Sequence, residues 1–412
     1  MRSRISVDEA QDLILDAVSP MGSETLACAA ALGRVLAEPV ASRVTLPPAD
    51  CSAMDGYALR ATDLSQAGQG SPARLPQVFE VPAGGSAPRP LVPGEVARIF
   101  TGAPLPPGAD TVVPQEDTEQ VGEEILFSTS VKPGQHVRPA GEDVHAGEEV
   151  LAAGTPLASP QLGMLAALGR SLVRVVQRPT VALLSGGDEL FEPDEIPAGG
   201  GIVASNAYAL AAECEAIGVE TRNLGIAADR PEDLEAFVRA GLSADVLVST
   251  AGVSVGDHDH VRPVLEKLGC EMIFWGVKMK PGFPVAFGRF RDGPLVFGLP
   301  GNPVSSLVSF LHFVRPALRK MSGHRSLFLP TIEATLTEDL EKRAGRRHFI
   351  RVHLERDDGG FLATSTGNQS SGVLRSMAVA DGLLDFPESS TQLRRGERVT
   401  VHLLRTDLLS RG

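Results

Sequence analysis

The chain is poor in cysteine: four in 412 residues (Cys28, Cys51, Cys214 and Cys270), scattered and with no Cys-x-x-Cys pair. This excludes thiol pairs spaced for metal or redox chemistry. Reduced, mostly buried thiols of a cytoplasmic protein are the expectation. An excess of positive charge is also missing. The net charge of -13 argues against a nucleic-acid partner, because phosphate backbones need a basic face. It does not exclude a small anion held by a few local cations or a bridging metal. Long apolar runs are absent too. Leu162–Val176 is interrupted by Arg170 and Arg174 and is too short to span a bilayer. The first ten residues, MRSRISVDEA, carry no apolar core behind their arginines, so neither a signal peptide nor a membrane partner is expected. No internal repeat is present.

What is present is ordinary for a globular protein, with 43% hydrophobic and 22% charged residues. The length allows two to four domains. Residues 1–45 read as helical: Asp8 is placed to cap a run that repeats Ala10, Leu13, Ile14 and Ala17 on one face, and Ser23 and Glu24 open a second run reaching Leu36. Residues 46–139 change character. Short alternating runs such as Gln77–Val81 and Glu124–Phe127 lie between Pro and Gly, as in a small β domain. Ser159 and Pro160 then start a helix over Leu162–Leu168 that Gly169 closes. Residues 1–45 and 140–178 are therefore read as one discontinuous, mainly helical linker domain, with the β domain inserted between its halves.

Residues 179–326 alternate strand and helix: Val181–Ser185, Ala204–Ile217, Val219–Ile226, Pro231–Ala240, Asp245–Thr250, Asp259–Leu268, Leu295–Leu299 and Pro303–Lys320. Such alternation predicts an α/β fold with a doubly wound, largely parallel sheet and helices on both faces. Residues 327–412 read as a C-terminal β domain, with strands at Thr331–Leu336, Phe349–Leu354 and Arg398–Leu404.

Ligands of open parallel sheets bind beyond the carboxyl ends of the strands, and four loops there are unusual. In Ser185-Gly186-Gly187-Asp188-Glu189, glycines admit close backbone approach and the acids suggest a metal between them and a phosphate. The plain alternative is a tight turn with Asp188 as a cap. Asp229 precedes Pro231, where an ordinary N-cap would stand. Thr250–Asp259 combines hydroxyls with acids at a helix start, suiting a phosphate plus a cation. Within it, His258, with the nearby His260, reads as a solvated helix start rather than a transition-metal cluster. Pro300-Gly301-Asn302-Pro303 opens a helix with free N–H groups. Lys278 and Lys280 flank a Pro-Gly turn and could neutralise an oxyanion. Together the loops imply a nucleotide- or pyrophosphate-like ligand with a divalent cation.

Several strings, in order along nearly the whole chain, resemble the molybdopterin molybdenumtransferases, the bacterial MoeA and gephyrin E-domain family. They are SAMDGYA (Ser52–Ala58), IFTGAPLPPGADTVVPQED (Ile99–Asp117), RPAGEDVHAGE (Arg138–Glu148), SGGDEL (Ser185–Leu190), GVSVGDHD (Gly252–Asp259), KPG (Lys280–Gly282), GLPGNPVS (Gly298–Ser305), GRRHFIR (Gly345–Arg351) and QSSGVLRSM (Gln369–Met377). The resemblance implies four domains, a homodimer for which the discontinuous linker domain serves dimerisation, adenylyl-molybdopterin and molybdate as substrates, and Mg²⁺. It implies molybdenum cofactor and AMP as products, with a molybdopterin adenylyltransferase as a partner in hand-over. It further implies that Asp259, with Glu189 or Asp229, positions Mg²⁺, and that Ser254, Lys280, Arg351 and Ser371 hold molybdate. Gly186 and Gly187 admit the ligand, and Pro300 and Pro303 shape the pterin loop with Gly301 and Asn302. By the same resemblance, Asp55 and Thr101 are expected to line the cleft, and Arg138 and Asp143 to support it. Two positions depart from the family's usual pattern: Ala251 stands where a glycine is common, and Phe283 where a second lysine is common, with Lys278 as the nearby cation. Three other readings remain open on the residues: a molybdopterin adenylyltransferase, a paralogue using tungstate, and a non-catalytic dimeric scaffold.

Overall fold

The computed structural model describes residues 1–68, 70–195, 199–250 and 260–407. Two compact units emerge. One comprises Met1–Ala37, Gly154–Ala158 and Leu172–Gly412, the other Glu38–Ala153 and Ser159–Ser171.

The chain begins with strand β1 (Arg2–Ile5) and helix α1 (Val7–Asp16). Ser6, not Asp8, caps α1: its Oγ accepts from Glu9 N at 3.1 Å, satisfying one of the orphan amides of the first turn. Asp8 instead accepts from Arg347 Nη1 at 2.7 Å. A second correction concerns the run from Ser23, expected to be helical. It is strand β2 (Ser23–Ala27) followed by a 3₁₀ turn at Cys28–Ala30. Thr25 and Arg174 lie opposite each other in its pairing with Leu172–Val176. Alternate partners Val173 and Val175 are buried, so a period of two wins over helix propensity.

The smaller unit holds strands β3 (Gly56–Leu59), β4 (Ala73–Val81), β5 (Val96–Ile99), β6 (Thr111–Pro114), β7 (Thr118–Val121) and β8 (Glu124–Phe127), in the order β6-β3-β5-β4-β8-β7. Tyr57, Leu59, Val113, Ile125 and Phe127 fill one side, and Ala58, Val81, Ile99 and Val112 the other. Gly56 is dictated by close approach, since a Cβ there would lie 2.0 Å from Val113 O. Helix α2 (Ser159–Ala167) lies in this unit's second segment.

The larger unit resumes with β9 (Leu172–Val176), the partner of β2, and β10 (Thr180–Gly186). There follow α3 (Ser205–Ala216), β11 (Glu220–Ala227), α4 (Pro231–Gly241), β12 (Val246–Thr250), α5 (Val261–Lys267), β13 (Glu271–Val277), β14 (Ala286–Arg289) and β15 (Leu295–Leu299). Helix α6 (Pro303–Ser309) runs through a π-turn at Phe310–Val314 into α7 (Arg315–Met321). The sheet order is β1-β13-β14-β15-β12-β10-β11. All pairs are parallel except β13–β14 and β14–β15. Val181, Leu183, Val246, Val248 and Phe297 face α1, α3 and α6–α7, whereas Ala182, Leu184, Leu247 and Val296 face α4 and α5. Both faces are thus covered, as a doubly wound sheet requires. Each such aliphatic or aromatic side chain contributes about 1.5–3 kcal/mol on burial. The entry of β1 into this sheet was not anticipated, because four residues with one buried position carry no strand signature.

The tail forms β16 (Thr331–Leu336), β17 (Arg347–Asp357), β18 (Gly360–Ser365), α8 (Leu374–Ala378), β19 (Gly382–Phe386) and β20 (Arg398–Leu403). The order β17-β18-β16-β20-β19 closes on itself through β19–β17 pairing, which removes the free edges. Arg347 of β17 is ion-paired with Asp385 of β19, and His312 stacks on Phe349 at 3.9 Å.

Candidate active site

Strands β11, β10, β12, β15 and β13 run in one direction, so their carboxyl ends share one edge of the sheet. Register sets neighbours there. Gly186 lies opposite Ala227, and the loops beyond are tied by Asp229 N donating to Asp188 Oδ1 at 3.1 Å. The Glu189 and Asp229 loops are therefore adjacent, and both acids are exposed. Gly187 has φ +141°, and a Cβ there would meet Glu189 Oε2 at 2.6 Å, so the carboxylate folds over the glycine. Asp188 caps no helix, and α4 is preceded by Arg230 rather than by an Asp229 cap. Asp259 and Ser254 lie outside the described residues. Among the described residues no three His, Cys, Asp or Glu side chains converge as a metal set.

The next loop belongs to β15. Pro300 is buried, while Gly301 and Asn302 are exposed. Asn206 Nδ2 holds the loop by donating to Gly301 O at 2.8 Å. Asn302 is the N-cap of α6 with Pro303 following, but its side chain makes no cap bond. Val304 N donates to Ser371 O at 3.2 Å, which brings the Ser371 segment of the tail against this loop.

A cavity of about 650 Å³ is lined by Lys280, Pro281, residues 340–344, Arg346, residues 348–351, Gln369 and Phe386. Main-chain pairing builds it: Met279–Lys280 adds to the barrel alongside β17, with Lys280 opposite His348. Arg351, within β17, is 1% exposed. Its Nε donates to Ser376 Oγ at 3.2 Å, and its Nη2 to Ser370 O at 3.2 Å and Asn368 O at 3.4 Å. Burial pushes its guanidinium down to about 10, so it stays protonated at neutral pH. None of those partners is a carboxylate, and a buried charge without a counter-ion is costly. Gln369 fixes the backbone here, accepting from Arg351 N at 3.0 Å and donating to Arg351 O at 3.1 Å.

The same wall carries Lys280, Lys342, Arg343 and Arg346, against one lining carboxylate among the described residues, Glu341. Burial, then Lys280, Lys342 and Arg346, push His348 down to about 4, so its imidazole is neutral in a positive field. Lys278 is not among the lining residues; its Nζ lies 3.5 Å from Glu388 Oε1. The structure therefore brings together Lys280, Arg351, Ser371 and the Pro300–Pro303 loop, and separately Gly186, Gly187, Glu189 and Asp229.

In the smaller unit, Asp55 Oδ1 accepts from both Thr101 N and Thr101 Oγ1 at 2.7 Å. These two bonds hold the Asp55 carboxyl below its ordinary range. Arg138, on a short strand paired with Cys51–Ser52, donates through Nε to Glu142 Oε2 at 2.9 Å. Asp143 is exposed, anchored by its backbone N to Leu46 O. The sequence reading missed Lys342, Arg343, Arg346 and His348, although the basic run from Lys342 to Arg347 was visible. It also missed Asn206, which ties the Gly301 loop, and read Asp188 as a metal-side acid or a helix cap rather than as the acceptor that ties the Asp229 loop.

Comparison with known proteins matches three family models along the chain. They are the MoeA N-terminal region (domain I and II) over residues 5–169, the probable molybdopterin binding domain over 182–320, and the MoeA C-terminal region (domain IV) over 333–404. A molybdopterin molybdenumtransferase of Nostoc sp. is 38% identical, covering 96% of this chain and 93% of that protein. A molybdopterin molybdenumtransferase of Haemophilus influenzae is 34% identical, covering 97% of this chain and all (100%) of that one. The crystal structure of a molybdopterin biosynthesis MoeA protein from Pyrococcus horikoshii superposes with TM-score 0.84 at 33% identity, covering 97% of this chain and 100% of that chain.

Proposed function

The chain belongs to the MoeA family of molybdopterin molybdenumtransferases, transferases of molybdenum cofactor biosynthesis, and from that premise we propose that it inserts molybdate into adenylyl-molybdopterin with release of AMP. The observation that carries the reading is Arg351, a buried guanidinium without a carboxylate partner among the described residues, on the wall of a cavity whose described lining holds five cations and one acid. A dianionic tetrahedral oxyanion supplies the missing counter-charge. Guanidinium and ammonium donors bind it through charge-assisted hydrogen bonds. The Ser371 segment and the Pro300–Pro303 loop border the same region and receive the organic substrate.

The carboxylates fit a hard divalent cation. Glu189 and Asp229 offer exposed oxygen ligands on adjacent loops, the donor type Mg²⁺ prefers with water completing its shell. With Asp259 they would hold Mg²⁺, whose chemistry is to neutralise charge developing on the cleaved phosphoanhydride. The protein's own part is to hold the oxyanion on Lys280 and Arg351, to neutralise it with the surrounding cations, and to present the phosphates at the sheet edge. In the smaller unit, the doubly anchored Asp55 with Thr101, and Arg138 with Asp143, are assigned to the substrate cleft.

The four-domain division drawn from the sequence, a homodimer, a cytoplasmic location and hand-over from a molybdopterin adenylyltransferase complete the proposal. No described helix is long and apolar enough to cross a membrane. The experiment is AMP release from adenylyl-molybdopterin with Mg²⁺, with and without molybdate or tungstate. Molybdate-dependent release supports the proposal. ATP-dependent adenylylation would assign the preceding step instead, tungstate-only release the paralogue, and no reaction by folded protein a scaffold.

A further inference from the structure

Arg346 occupies an unusual position on the cavity wall. It stands just ahead of β17, is exposed, and lines the cavity with Lys280. Its guanidinium lies 4.9 Å from the centre of the Phe283 ring. Phe283 is itself locked: it packs edge-on against Trp275 at 5.6 Å, and its carbonyl accepts from Val277 N and Val285 N, each at 2.9 Å. The ring is thus a rigid platform in the β13–β14 connection, two residues beyond the Pro281 that lines the cavity.

A flexible arginine loses side-chain entropy when ordered. An aromatic face offsets this by attracting the cation without neutralising it. A carboxylate at the same place would have cancelled the charge. Lys342 is treated alike, with its Nζ 4.8 Å from the Phe386 ring centre. The one lining acid, Glu341, accepts from Gln392 Nε2 at 3.3 Å. The aromatic face therefore positions Arg346 without neutralising it, while Lys342 also donates to Arg346 O at 2.9 Å and lies in the field of Glu388. Burial first, and then Lys280, Lys342 and Arg346, hold His348 down to about 4.

We propose that Arg346, seated on Phe283, is an oxyanion-binding residue of this cavity, acting with Lys280 to set affinity for the inorganic substrate. This rests on the reading of the cavity as the molybdate site. Phe283 is the positioning residue, since its ring decides where the guanidinium stands. A lysine at position 283 would place its charge in the same region.

The test is equilibrium dialysis of the purified full chain against molybdate, with bound molybdenum measured by elemental analysis and folding checked by thermal melting. Arg346→Gln is expected to weaken binding about tenfold, comparable to one charge-assisted hydrogen bond, with an unchanged melting temperature. Phe283→Lys introduced into Arg346→Gln is expected to recover most of that loss. Lys280→Gln serves as the control for the site. If Lys280→Gln weakens binding and Arg346→Gln does not, the role of Arg346 is overturned while the cavity reading stands. If neither variant changes binding, the cavity reading fails and the inference falls with it. Failure of Phe283→Lys to rescue would overturn the placement of the charge on the ring.

Discussion

Arg351 and Glu189 both belong to the larger unit, yet they are positioned in opposite ways. Arg351 is 1% exposed, sits inside an eleven-residue strand and is held by three side-chain hydrogen bonds. Lys342 and Arg346 are aligned by aromatic rings. Glu189 and Asp229 stand exposed on loops beyond strand ends, tied through a neighbour's carboxylate and a glycine's missing Cβ. The difference teaches where preorganisation is invested. The cationic cavity is built into the barrel and ready for an anion. On the proposed function, the acidic edge offers ligands whose geometry a bound cation and substrate would complete.

The most severe test of this contrast is Arg351→Met. The account expects molybdate-dependent AMP release to fall by about 10²–10³-fold, the usual cost of removing a preorganised donor. Steady-state assays at saturating Mg²⁺ check it, and a loss below tenfold would place the oxyanion elsewhere. The acidic edge should respond differently. Glu189→Gln combined with Asp229→Asn should raise the Mg²⁺ concentration for half-maximal rate by about tenfold or more, since ligand charge count sets affinity. Molybdate binding should be unchanged. A Mg²⁺ titration of the rate separates the two regions, and coupled losses would blur them.

Gly282 sharpens the comparison from the backbone side. Its φ is +103°, and a Cβ there would lie 2.5 Å from Ser309 Oγ. Gly282→Ala should cost about 1–3 kcal/mol in urea unfolding and weaken molybdate binding, because the strained turn carries Lys280. Unaltered stability would show that the turn adapts freely.

The smallest effect concerns pH. Burial leads the depression of His312, which lies well below its usual 6.5, and of His324 and His348, each at about 4. A base whose folded value lies below its unfolded value is protonated first in the unfolded chain. Stability is therefore present above about 6.5 and declines as pH falls toward 4. Melting temperatures measured from pH 7 to pH 4 should fall, with a shallower slope in His312→Phe. An identical slope would remove His312 from the cause.

Much of this was legible in the sequence. The alternation of apolar strands and capped helices over residues 179–326 specified a doubly wound sheet, and the loops Gly186–Glu189 and Pro300–Pro303 fell on one edge as expected. What escaped depended on contacts distant in sequence. β1 joins the sheet only through pairing with β13. Ser23–Ala27 becomes a strand because β9 is there to pair with it. Lys342, Arg343 and Arg346 drew no site assignment from the sequence, and the pairing of Lys280 with His348 is what brings them onto one wall. Lys278, two residues from Lys280 in sequence, pairs with Glu388 instead of lining the cavity, a partner far along the chain that the local sequence does not show.

The most direct test is to soak crystals of the protein in molybdate and record anomalous diffraction at the molybdenum edge. The account predicts a peak within hydrogen-bonding reach of Lys280 and Arg351. A peak confined to the Glu189 and Asp229 loops, or no peak in this cavity at saturating molybdate, would contradict it.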